Sequence, residues 1–382
     1  MLSNPPLSLY IHIPWCLRKC PYCDFNSHGR PAALPEADYV TALLSDLDRE
    51  LERVAERTIE TVFIGGGTPS LFEPAAIDRL LRGIDERATL AGTAEITLEA
   101  NPGTFEMDKF KGFRTAGINR LSIGIQSFDD RMLHALGRVH DGGEALRAVD
   151  VARAAGFDNL NLDLMFSLPD QDVDAALADV TTAIDLGPEH ISWYQLTLEP
   201  GTAFFKQPPV LPDDDTAWQI QQQCQEALAF SGYRQYEVSA YARDGRQCRH
   251  NLNYWTFGDY LGIGAGAHGK ITDGAGDRLL RTSKVRSPDV YLGLRAGVEP
   301  VTLAHEIGHD ERPLEFLMNA LRVRDGFSES DFPRRTGLPL SALEPSLSDC
   351  LGDGLLERDG GAIRCSERGW LFLTDVLGRF VH

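Results

Sequence analysis

The alternation of short apolar runs with amphipathic stretches limits this chain to few architectures. Runs that read as strands fall at 8–13, 61–65, 95–100, 120–125, 159–166 and 190–197. Between the first two, Tyr39, Val40, Leu43, Leu44, Leu47, Leu51 and Val54 recur with helical period, which predicts a helix over 36–55 with one buried face. Further helices are expected near 74–87, 106–116, 141–155 and 172–186. Strands of near-continuous apolar character suit a parallel sheet covered by helices. Six such units make an α/β fold, an open, partial (β/α)6 TIM-like barrel, and in such folds the working groups gather at the carboxyl ends of the strands. With 382 residues there is room for a second unit. After Gly201 the pattern changes: 215–231 reads as a helix and 233–270 as irregular, aromatic-rich structure. From about 312 a compact α+β tail follows, with helices near 312–323, 328–336, 341–351 and 367–380 and a hairpin at 359–361, in a winged-helix-like arrangement.

The chemistry concentrates just after the first strand. Cys16, Cys20 and Cys23 fall within eight residues, on a loop where the active end of such a sheet should be. Thiolates spaced like this hold iron–sulfur clusters, and three cysteines on a four-iron cubane leave one iron open to a small molecule. Two other readings stay open on this run alone: a zinc knuckle with His28 as fourth ligand, and a redox Cys-x-x-Cys pair. The seven cysteines do not read as a disulfide framework, and a reducing, cytoplasmic home is expected. Residues 1–7 lack the basic start of a signal peptide, and no apolar run reaches membrane-spanning length, so any membrane contact is expected to be peripheral. A net charge of −19 argues against nucleic acid as a partner and against nonspecific adhesion to anionic lipid.

Gly65, Gly66 and Gly67, followed by Thr68 and Pro69, end the second strand and allow close backbone approach to a ligand. Glu99, Gln126, Arg138 and Asp163 follow at or near later strand ends. Singly, each reads as a structural hydrogen bond or ion pair, for example Arg138 with Asp163; together, converging on one barrel mouth, they favour a ligand site. His305 and His309 match a zincin spacing, but Gly308 inside it and Pro300 and Pro313 around it leave no room for the helix it needs. The glycines of 262–269 read as a turn rather than a dinucleotide loop. Cys224, Cys350 and Cys365 read as core thiols, while Cys248, near His250, is ambiguous.

The Cys-x-x-x-Cys-x-x-Cys spacing with Tyr22 before the last cysteine resembles the radical S-adenosylmethionine (SAM) superfamily. That resemblance implies a [4Fe–4S] cluster on Cys16, Cys20 and Cys23, and SAM chelated to the open iron and split to a 5′-deoxyadenosyl radical. The segments 7–16, 65–70, 121–129 and 163–169 narrow it to the oxygen-independent coproporphyrinogen III oxidases and their relatives. The match implies SAM contacts at Tyr10, Tyr22, Gly66, Gly67, Thr68, Glu99, Gln126, Arg138 and Asp163. Two departures weaken the oxidase reading, in which two propionates become vinyl groups. Phe25 stands where the oxidases carry a further cysteine, and only nine residues precede Tyr10.

A third feature, His250-Asn-Leu-Asn-Tyr254-Trp255, is the His-Asn-x-x-Tyr-Trp signature of the HemW-type haem chaperones, relatives that hold haem and deliver it to membrane or soluble haem proteins. Histidine is a common axial haem ligand, Tyr254 and Trp255 offer flat faces to a porphyrin, and Arg243, Arg246 and Arg249 offer charge for propionates. The plainer reading has His250 hydrogen-bonded within a loop and the aromatics in the core. The resemblance implies a barrel domain over 1–235, a connecting segment over 236–311 and a winged-helix-like domain over 312–382. It further implies haem acceptors, some of them membrane-bound, and an outside electron donor; separately, an exposed cluster loop would offer a surface for a homodimer.

Overall fold

The fold described here is a computed structural model covering residues 2–54, 56–294, 298 and 300–381. Six parallel strands form where the apolar runs predict them: β1 (Leu7–Ile13), β2 (Ile59–Gly66), β3 (Leu90–Ala100), β4 (Arg120–Gln126), β5 (Leu160–Phe166) and β6 (His190–Gln195). They lie side by side in chain order. The helices Glu36–Leu51 (α1), Pro74–Asp85, Gly142–Ala154 and Val173–Asp185 fall where helical periodicity placed them. Strand period two explains the division of labour in β1. Leu9, Ile11 and Ile13 are fully buried with Tyr39, Leu43 and Leu47 of α1, each such aliphatic side chain contributing about 1.5–3 kcal/mol. Tyr10 and His12 alternate with them and line a cavity instead.

The segment 233–270 departs from the irregular structure expected of it. It supplies β7 (Arg234–Glu237), β8 (Ala240–Ala242), the short helix α2 (Arg249–Trp255) and β9 (Asp259–Ile263), and it leads into β10 (His268–Asp273), β11 (Arg278–Lys284) and β12 (Val301–Glu306). Strand β9 pairs parallel with the outer edge of β1, with Tyr10 opposite Gly262, and β10–β12 continue antiparallel beyond it. The result is a 12-stranded sheet in the order β12-β11-β10-β9-β1-β2-β3-β4-β5-β6-β8-β7. These strands were hard to read because β7 and β8 are four and three residues long. In β9 glycine replaces a patterned side chain: a Cβ on Gly262 would lie 1.8 Å from the His268 carbonyl oxygen. The buried Lys284 ties this extension to α1, with its ammonium 2.7 Å from Asp46 and 2.6 Å from Glu50.

The tail packs around Phe316, Phe332, Leu347 and Ile363, in a core that it shares with Leu2, Phe257 and Leu279 from the rest of the chain. A three-stranded sheet places Ala362–Cys365 between Phe327–Ser328 and Leu356–Asp359. The helix expected over 367–380 is two pieces, Glu367–Leu371 and Leu373–Gly378, because Phe372 leaves helical geometry at φ −116° and ψ 39°.

Candidate functional site

The cysteine loop is built on a clamp. Trp15–Cys16 pairs with His28–Gly29, closing the loop between them. The Arg30 N–H donates to the Cys16 carbonyl at 2.9 Å, and the Lys19 ammonium to the Phe25 carbonyl at 2.9 Å. The glycine turn lies directly against this stem: the Gly67 N–H donates to Ile13 O and the Thr68 N–H to Trp15 O, both at 2.8 Å. A Cβ on Gly67 would sit 2.6 Å from the Trp15 carbonyl oxygen, so only glycine permits the approach. Gly66, at φ +112°, is packed just as tightly against the His12 ring.

Cys16, Cys20 and Cys23 face a cavity of about 490 Å³, whose wall continues through Gly66, Gly67 and Thr68. Its far side is made by Glu99 and Gln126 at the ends of β3 and β4, Asp163 in the middle of β5, and Arg138 just past the short helix Asp130–Ala135 that follows β4, with Tyr22 and Trp255 completing it. Among the described residues no group of three His, Cys, Asp or Glu side chains is already gathered around a single point. His28 is turned away, its Nε2 within 3.2 Å of the Arg286 carbonyl oxygen. Three thiols on the lining of one cavity, with a guanidinium beside one of them, would suit a cluster whose irons are separate attachment points. Burial raises the pKa of the Cys16 and Cys23 thiols. Arg138 Nη1 stands 3.6 Å from Cys20 Sγ.

The Arg138–Asp163 ion pair that the sequence allows does not form. Arg138 Nη2 instead donates to Asn101 Oδ1 at 2.6 Å and to the Gly124 carbonyl at 2.8 Å. Asp163 accepts from Ser122 Oγ at 3.0 Å and from Asn161 Nδ2 at 2.8 Å. Glu99 accepts the Gly66 N–H at 3.1 Å. Burial, then the nearby Asp163 carboxyl, pushes the Glu99 pKa up to about 8, so this acid carries a proton at neutral pH. Gln126 sits at φ +71°, a conformation that costs of order 1–3 kcal/mol in a residue other than glycine. The Tyr194 hydroxyl holds its side chain at 2.9 Å.

Tyr10, Tyr254 and His250 lie outside this cavity. Tyr10 and Tyr254 line a second one, of about 540 Å³, which shares Phe25, Gly66 and Glu99 with the first. His250, expected in or near a haem site, is buried in this structure. Its ring is 1% exposed, Nδ1 pairs with Thr61 Oγ1 at 2.8 Å, and Nε2 is buried with no hydrogen-bond partner. The ring packs where α2 meets β1 and β2, its centroid 5.1 Å from that of Phe63 and 5.2 Å from that of Tyr254. The three arginines upstream are also placed away from both cavities: the Arg243 guanidinium lies 4.7 Å over the Tyr233 ring, and Arg249 donates to the Thr93 carbonyl at 2.7 Å. The zincin spacing is void, since His305 lies in β12, a strand.

Sequence reasoning missed several wall residues. Asn101, two places after Glu99, was visible as a polar residue at a strand end. Tyr194 sat inside an apolar strand with no distinguishing signal. Arg322, from the tail, reaches the cavity floor, 2.6 Å from Glu237 and with its guanidinium 4.5 Å over the Trp255 ring; nothing local marks it.

Comparison with known proteins agrees with this arrangement. Residues 10–180 match the Radical SAM superfamily and residues 307–372 the HemN C-terminal domain. The chain is 48% identical over 381 residues to the heme chaperone HemW of Escherichia coli K12, covering 100% of both chains. It is 34% identical to the heme chaperone HemW of Bacillus subtilis, covering 98% of this chain and 99% of that one. Among solved structures, coproporphyrinogen III oxidase (HemN) from Escherichia coli superposes with a TM-score of 0.83 at 23% identity, covering 99% of this chain and 90% of that chain, a likeness of fold.

Proposed function

We propose that this chain, which belongs to the radical SAM superfamily and within it to the HemW heme chaperone family, binds haem and hands it to acceptor haem proteins. The observation that carries the reading is identity along the full length to proteins of that name, joined to a cysteine cavity with its wall complete. Cys16, Cys20 and Cys23 would hold the [4Fe–4S] cluster, and SAM would lie along Gly66, Gly67, Thr68, Glu99, Gln126, Arg138 and Asp163, flanked by Tyr22. Bound there, the two supply a one-electron donor beside a cleavable sulfonium, with the electron drawn from a donor outside the chain. The protein's own groups do the rest. Arg138 places its guanidinium beside Cys20, the backbone of 66–68 packs the loop stem, and protonated Glu99 offers an O–H instead of a charge. Tyr10, Tyr254 and Trp255 serve ligands from the walls they line, and His250 packs α2 against β1 and β2.

In this reading 1–235 is the barrel, 236–311 the connecting segment and 312–382 the tail unit. No helix among the described residues is long and apolar enough to cross a membrane. A membrane-bound acceptor would be met peripherally. The test is transfer: anaerobically reconstituted protein is loaded with haem and mixed with an apo-haem protein. Haem moving to the acceptor, with recovery of the acceptor's absorbance, is the expected result. Anaerobic turnover of coproporphyrinogen III to protoporphyrinogen, with no transfer, would replace the reading with the oxidase.

A further inference from the structure

The second cavity shares Phe25, Gly66 and Glu99 with the cysteine cavity and has so far been given no occupant of its own. It opens between the end of β1 and the antiparallel strands β10–β12, and it is close to 540 Å³, within the range of about 300–1,000 Å³ usual for sites that enclose a small molecule. Its wall is aromatic. The Tyr254 and Tyr260 rings lie with centroids 4.1 Å apart, and Phe25, 62% exposed, stands on the rim shared with the cysteine cavity. A phenylalanine so exposed is an apolar face awaiting a flat partner.

Two histidines line this cavity, and they are not equivalent. His12 is used up: Nδ1 meets the Tyr10 hydroxyl at 3.0 Å, and Nε2 meets the Asn26 carbonyl at 2.9 Å. His268, at the start of β10, is exposed, and its ring makes no hydrogen bond among the described residues. Desolvation at the wall, reinforced by the Arg281 and Arg286 guanidiniums, lowers its pKa, which favours the neutral imidazole that a metal needs. Arg286, also on the wall and exposed, has no carboxylate partner among the described residues; its guanidinium touches only Asn26 Oδ1, at 3.4 Å.

We propose that haem is held in this second cavity, with His268 as the axial ligand to iron, Phe25, Tyr254 and Tyr260 against the porphyrin, and Arg286 on a propionate. The inference rests on the haem reading above and locates it. It places the porphyrin beside the cluster site, with Gly66 and Glu99 common to both walls. It also joins the two mechanically, since Asn26 on the cysteine loop donates to the Ala265 and Arg286 carbonyls, both at 2.9 Å.

The experiment is titration of ferric haem into cluster-reconstituted protein, followed by absorbance. Wild type should saturate near one haem per chain with the spectrum of imidazole-ligated iron. His268→Ala should lose that spectrum and weaken binding by tenfold or more, and added imidazole should restore the spectrum. Arg286→Ala should keep the spectrum and weaken binding about tenfold, the effect of one lost charged contact. His309→Ala, an exposed histidine remote from the cavity, should match wild type. Saturable wild-type binding that His268→Ala leaves unchanged in spectrum and affinity overturns this site alone. Absence of saturable binding to wild type overturns the haem reading, and this inference with it.

Discussion

Glu99→Gln tests the electrostatics of the cysteine cavity most sharply. The Glu99 carboxyl is partly exposed to the cavity and accepts the Gly66 N–H at 3.1 Å; burial, then Asp163, raises its pKa from 4.5 to about 8. A carboxyl that holds its proton more tightly when folded stabilises the fold most fully below pH 4.5, and this contribution is lost as pH rises through about 8. At 1.36 kcal/mol per pH unit the full difference amounts to about 5 kcal/mol. Water in the cavity screens the charge, which brings the expected effect to about 2 kcal/mol. Glutamine keeps the acceptor for Gly66 but cannot ionise. Urea unfolding of cluster-free wild type and variant should therefore agree within about 0.5 kcal/mol at pH 5, while at pH 9 the variant should be more stable by about 2 kcal/mol. Other buried carboxyls titrate in both proteins, so the difference isolates Glu99. Curves that stay parallel from pH 5 to pH 9 would refute a protonated Glu99.

Three further outcomes follow from the same geometry. Gly67→Ala drives a Cβ to 2.6 Å from the Trp15 carbonyl oxygen. With overpacking and strained clamp bonds it should cost about 2–4 kcal/mol and lower iron retention after reconstitution, whereas full stability and full iron content would contradict the close approach. Arg138→Ala leaves Asn101 and the Gly124 carbonyl without their partner and removes the cation near Cys20. SAM binding to reconstituted protein should weaken about tenfold to a hundredfold, and unchanged affinity would remove Arg138 from the site. Stripping iron with an oxidant and chelator should speed tryptic cleavage at the exposed Arg18 and Lys19, because the three thiols then lose the group that ties them together; equal rates would mean the loop is ordered without a cluster.

The legible parts of this molecule are those where local pattern and global fold agree. Strands β1–β6 announce themselves because burial on both faces makes each a nearly continuous apolar run, and the helices between them show period 3.6. The cysteine and glycine motifs are legible because their residue types have few other uses so close together. The strands of 234–263 are not, because short strands and glycine at Gly262 erase the alternation that marks a sheet. His250 shows the limit of a motif: its spacing suggests a ligand, but the partner Thr61 lies 189 residues away and holds the ring where it is buried. Arg322 and His268 take their places only through tertiary packing, one from the tail unit and the other from an antiparallel extension of the sheet.

The central claim is that three cysteines hold a cluster with one iron open to SAM. Iron and sulfide analysis of the reconstituted chain, with electron paramagnetic resonance of the reduced cluster with and without SAM, tests it most directly. The account predicts about four irons and four sulfides per chain, a signal whose g-values move when SAM is added, and loss of both in Cys20→Ser. A single zinc per chain, or a cluster signal indifferent to SAM, would contradict it.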